Sequence, residues 1–195
     1  MKTLYFFLSL LVVSFSLSGC AIKGTYTQDY ISKEVNPYYS KVATKTITMI
    51  EDKSVYTRSS DSWQGKAPLE LEVGNINNKV QEEFFKQYFA KTVLVKNRFT
   101  TSTEDNIVIE STVNDFRYYI SGFDNVDMTI ELTVKVSYKN NTILEKQYTI
   151  KDNNKVLFRI GVVTGKEGTI ELFHKSLLNF YETKFKKDFL EALSN

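Results

Sequence analysis

The sequence predicts an α+β fold: a two-layer sandwich in which an antiparallel sheet of about four or five strands, preceded by a tether, carries two helices on one face. Three observations predict it. Met128, Ile130, Leu132, Val134, Val136 and Tyr138 fall on one parity, while Thr129, Glu131, Thr133, Lys135 and Ser137 fall on the other. Such alternation belongs to a strand with one buried and one wet face, hence to an antiparallel sheet covered on one side. Ile76, Val80, Phe84, Phe85, Tyr88 and Phe89 recur at helical spacing, and so do Ile170, Phe173, Leu177, Phe180, Tyr181, Phe185, Phe189 and Leu193. Two apolar helix stripes and one apolar sheet face satisfy each other only by packing together.

The chain opens with Met1, Lys2 and Thr3, a short basic segment, and then an almost unbroken apolar run over residues 4–17. A membrane-crossing helix needs about 20 apolar residues, so this run reads as the core of a signal peptide, residues 1–19. Leu17-Ser18-Gly19-Cys20 follows and resembles a bacterial lipobox, with Leu three residues before the Cys and two small residues between. The resemblance implies cleavage before Cys20 and lipidation of its sulfur by diacylglycerol, with further acyl chains such as palmitate. Two or three chains hold a protein durably at a bilayer, where one holds it weakly. Ala21 and Ile22, rather than an Asp, follow the Cys, which implies an outer-membrane location facing the periplasm. Residues 20–42 then read as the acylated Cys and a tether with Tyr contacts, and residues 43–195 as one α+β domain.

Along that domain, residues 45–50 read as the first strand, with Val55 to Arg58 as its candidate continuation. Residues 59–68 form a polar loop with Trp63 at its tip. Residues 69–73 alternate as a brief strand, and Asn75 is placed to cap a helix from Ile76 to about Thr92. Residues 93–95 enter a strand and residues 96–105 form a polar turn. Ile107, Ile109 and Val113 share one parity whereas Phe116, Tyr118 and Ile120 share the other, so the strand over 106–120 carries a bulge near Asn114.

The turn at Asn140-Asn141-Thr142 is read by register. A two-residue Asn-Asn loop sets Tyr148 opposite Thr133, on the polar face; a three-residue loop pairs Tyr138 with Leu144, Val134 with Tyr148 and Leu132 with Ile150. The second is favoured and puts Leu144, Tyr148 and Ile150 in the core. Residues 151–154 read as a turn, and 156–163 as an edge strand or apolar loop. After a break at Gly165 to Gly168, Thr169 caps a final helix reaching about Leu193, with Glu171–Lys175 and Glu182–Lys186 pairs outside.

A lipobox, a tether, one helix, an antiparallel meander and a terminal helix together resemble the YajG-like family of small bacterial outer-membrane lipoproteins. Residues 74–192 carry that likeness, in element order and spacing. The same outline is similar to auxiliary lipoproteins of envelope lipid-transport systems, including the lipopolysaccharide-assembly plug protein.

Composition narrows the chemistry. The 25 basic and 23 acidic side chains nearly cancel, which disfavours nucleic acid as a partner. One Cys and one His leave little for a metal or a nucleophilic triad, so no metal, cofactor or catalytic residue is expected and the chain does not read as an enzyme. His174, between Glu171 and Lys175, reads as packing or surface. Asp124, Asp127 and Glu131 read as solvated carboxylates, Gly161, Gly165 and Gly168 lack a phosphate-loop context, and the KFKK run at 184–187 reads as a helix end. What remains is a membrane-anchored, non-catalytic accessory or docking module of the envelope with an unidentified envelope protein as partner. The alternative is a binder of lipid or a small apolar ligand serving envelope lipid transport, with Phe116, Tyr118, Tyr119 and Phe123 lining a groove between helices and sheet.

Overall fold

A computed structural model describes residues 22–24, 43–59, 68–98, 106–121, 125–155 and 162–194. The signal peptide, Cys20, most of the tether, the loop tip with Trp63, Phe123, Asp124 and most of the 156–163 run lie outside the described residues. The elements in order are β1 (Ile22–Gly24), β2 (Ala43–Ile50), β3 (Tyr56–Ser59), β4 (Pro68–Leu71), α1 (Val73–Tyr88), β5 (Phe89–Val95), β6 (Ile107–Ser121), β7 (Asn125–Tyr138), β8 (Asn141–Lys155) and α2 (Val162–Phe180). A π-helical segment, Tyr181–Phe185, joins α2 to α3 (Lys186–Ser194).

The α+β sandwich expected from the sequence is the one found, with a five-stranded sheet in the order β5-β2-β6-β7-β8. The sheet is mixed rather than wholly antiparallel: β2 runs parallel to both β5 and β6, while β6, β7 and β8 form the antiparallel meander. The reason lies in the connections. The α1 helix carries the chain from the end of β2 back to the start of β5, as a parallel pair requires, whereas only three residues separate β6 from β7 and two separate β7 from β8. Residue periodicity reports which face is buried and carries no information on strand direction.

Two further corrections concern the chain around α1. Residues 56–59 do not continue β2; they form β3, which pairs with β4, and β4 pairs in turn with β1 in a small separate sheet. Ile22–Gly24, assigned to the tether, is thereby a paired strand. The α1 helix begins at Val73, not after Asn75, and no side chain caps it. Its first amides are met by tertiary structure instead: Gly74 N–H donates to the Ser54 carbonyl at 2.9 Å. A Cβ on Gly74 would lie 2.5 Å from the Asp52 carbonyl oxygen and 2.6 Å from Ser54 N, so this approach needs glycine. At the other end the helix stops at Tyr88, because Phe89 is already extended and Thr92, Val93 and Val95 favour a strand.

The long strands follow the sequence more closely. The β6 to β7 register slips between Val113 and Asp115, placing the bulge at Asn114. In the β7–β8 hairpin the loop is Lys139-Asn140, with φ of 50° and 63°. Both residues are left-handed, as a two-residue hairpin loop demands. Tyr138 pairs with Asn141, and an irregularity between Val136 and Ser137 resets the ladder so that Leu132 meets Tyr148 and Ile130 meets Ile150. The expected register was thus two residues off. The face was correct: Tyr148 is buried, and Leu144 and Ile150 are half-buried against the core. Residues 151–154 continue β8 rather than turning.

The terminal helix starts at Val162 and runs unbroken through Gly165, Gly168 and Thr169, so Thr169 lies within it, buried, and is no cap. Its core residues Phe173, Leu177, Tyr181, Phe185 and Phe189 recur strictly every four residues. In an α-helix of about 3.6 residues per turn such a row drifts around the axis. The π-helical turn at Tyr181–Phe185 takes up the surplus and keeps the row facing the core.

Candidate functional site

Polar clusters tie the elements together, and three stand out among the described residues. The largest is centred on Asp52, in the loop after β2. Its Oδ1 accepts from Ser54 N–H at 3.0 Å and Ser54 Oγ–H at 2.6 Å; its Oδ2 accepts from Asn77 Nδ2 at 3.0 Å and Val113 N–H at 2.9 Å. Asn78 clasps the same residue's backbone, accepting from Asp52 N–H at 2.8 Å and donating to its carbonyl at 2.9 Å. Asn77 Oδ1 accepts from the Tyr181 hydroxyl at 3.0 Å, and that hydroxyl lies 2.7 Å from Ser111 Oγ. Tyr56 donates its hydroxyl to the carbonyls of Val113 and Asn114. The bulge of β6 disrupts the ladder there, and Asp52 and Tyr56 satisfy backbone groups on either side of it.

This network was not foreseen, although Asn77-Asn78 between Ile76 and Val80 was its signal. Two adjacent asparagines are disfavoured within a helix unless their amides have inward work. One turn on, Gln81 is fully buried and neither amide atom has a partner. An unpaired buried amide costs about 1–3 kcal/mol. Gln81→Met, close in volume and apolar, is therefore expected to raise stability by about 1 kcal/mol, read as an upward shift in thermal midpoint; a fall would show that the amide contributes.

The second cluster ties α3 to β8. Asp188 Oδ2 accepts from the Tyr148 hydroxyl and from Lys146 Nζ, each at 2.7 Å, and the Lys146 and Lys184 ammoniums lie 5.3 and 5.5 Å from the Tyr148 ring centroid. The Lys146 bond holds the Asp188 carboxyl below the usual range, with burial opposing and the Tyr148 bond adding. Burial, then the bond to Asp188, pushes the Tyr148 hydroxyl well above the ordinary tyrosine range. Burial does the same to Tyr181, against a lowering bond from Ser111. Both hydroxyls therefore stay protonated at neutral pH and act as hydrogen-bond donors.

The third is the pair of His174 Nε2 and Glu83 Oε2, 3.1 Å apart, joining α2 to α1. His174 is thus buried packing rather than surface. Asp127 is exposed and accepts from Asn153, and Glu131 is bound by Arg117. No group of His, Cys, Asp and Glu among the described residues could hold a metal. Of the KFKK run, Lys186 donates to the Tyr88 hydroxyl at 2.9 Å, which itself donates to Glu182 at 2.8 Å; the expected Glu182–Lys186 pair meets through that ring. The expected Glu171–Lys175 pair forms.

Of the aromatic residues proposed to line a groove, Phe116 and Tyr118 lie together and Tyr119 apart, while Phe123 lies outside the described residues. Phe116 is fully buried, stacked on Tyr118 at 5.7 Å and edge-on to Phe173 at 5.1 Å. Tyr119, next in sequence, points to the opposite side and is exposed. Between α1 and the π-turn, Phe84, Phe85, Phe89, Tyr181, Phe185 and Phe189 interlock at centroid distances of 5.0 to 6.1 Å. No helix among the described residues is long and apolar enough to cross a membrane.

Neither a family model nor a curated protein sequence matches the chain. Solved structures of similar outline include a Xanthomonas campestris protein of the DUF330 family, with TM-score 0.48 and 11% identity, covering 74% of this chain and 85% of that one. Rare lipoprotein B from Shewanella oneidensis follows with TM-score 0.43 and 9% identity over 77% and 100% of the two chains. A minor lipoprotein from Acinetobacter baumannii has TM-score 0.38 and 7% identity over 75% and 91%. At these scores the likeness is one of general outline.

Proposed function

We propose that this chain is a lipoprotein of the bacterial envelope, held in the outer membrane by acyl chains on Cys20 and facing the periplasm, where it serves as a non-catalytic accessory or docking module for an envelope protein. Closeness to the YajG-like type belongs to the same reading. The anchor rests on Leu17-Ser18-Gly19-Cys20 behind a short apolar leader. The inert body rests on one observation: the space between sheet and helices is occupied by interlocked rings, Phe84, Phe85, Phe116, Tyr181 and Phe185 each being 0–1% exposed. A ligand pocket takes roughly 300 Å³ or more, and these side chains leave their own positions no such room. The polar clusters are consumed in joining elements, which favours a structural over a catalytic use.

Cys20→Ser tests the anchor. The variant is expected to keep the circular dichroism of the parent and to leave the membrane fraction; persistence there with an unmodified Ser would contradict lipidation. Organic extraction of the purified Cys20→Ser protein, followed by mass spectrometry, tests the body. A stoichiometric bound lipid would overturn the docking reading in favour of a binder.

A further inference from the structure

We draw no further inference here: the strongest candidate, the outer edge of strand β5 in the five-stranded sheet, where Val93 and Leu94 are exposed, carries nothing because nothing in the structure shows what covers it.

Discussion

Asp52→Ala is expected to lower stability by about 4 kcal/mol, read as an earlier midpoint in urea with the slope unchanged. The carboxylate accepts four hydrogen bonds, and alanine strands the amides of Ser54 and Val113 in a buried site. Each such stranded donor costs about 1–3 kcal/mol. Asp52→Asn keeps the volume but turns an NH₂ toward groups that themselves donate, so it too is expected to destabilise. Because Asn77 holds both Asp52 and Tyr181, Asp52→Ala and Asn77→Ala together are expected to cost less than the two separately. A loss below about 1 kcal/mol for Asp52→Ala would show that water replaces the carboxylate and that the loop is not fixed by it.

Phe185→Ala is expected to cost about 3–5 kcal/mol, the range for removing a buried aromatic side chain. Phe185 touches Phe84, Phe85, Phe180, Tyr181 and Phe189, with ring centroids 5.3 to 6.3 Å apart, so no single neighbour can fill the space. Phe185→Leu, which keeps most of the volume, is expected to recover a large part of the loss. A near-neutral alanine variant would mean that α3 is only loosely docked.

The sequence spoke clearly where one periodicity prevailed. The alternation of β7 set its buried face, the parity change after Val113 located the bulge at Asn114, and the apolar rows of α1 and the terminal helix named the residues that fill the interior. It was silent where a distant partner decides. The start of α1 depends on a loop twenty residues earlier, since Gly74 N–H is taken by Ser54, so the local cap candidate Asn75 misled. The hairpin loop is Lys139-Asn140 instead of Asn140-Asn141-Thr142, because Lys139 adopts the left-handed conformation together with Asn140. Gly165 and Gly168 read as breakers, yet the terminal helix runs through both. Cys20, the one site residue named from the sequence, lies outside the described residues.

The pairing of Ile22–Gly24 with Leu69, Glu70 and Leu71 changes how the body would stand on a bilayer. With acyl chains on Cys20, only Ala21 separates the grease from a hydrogen-bonded strand, a span of about 7 Å when fully stretched. The molecule would then sit on the headgroups like a limpet, with the β1-β4-β3 rim downward. Any partner would have to approach from the side or from above.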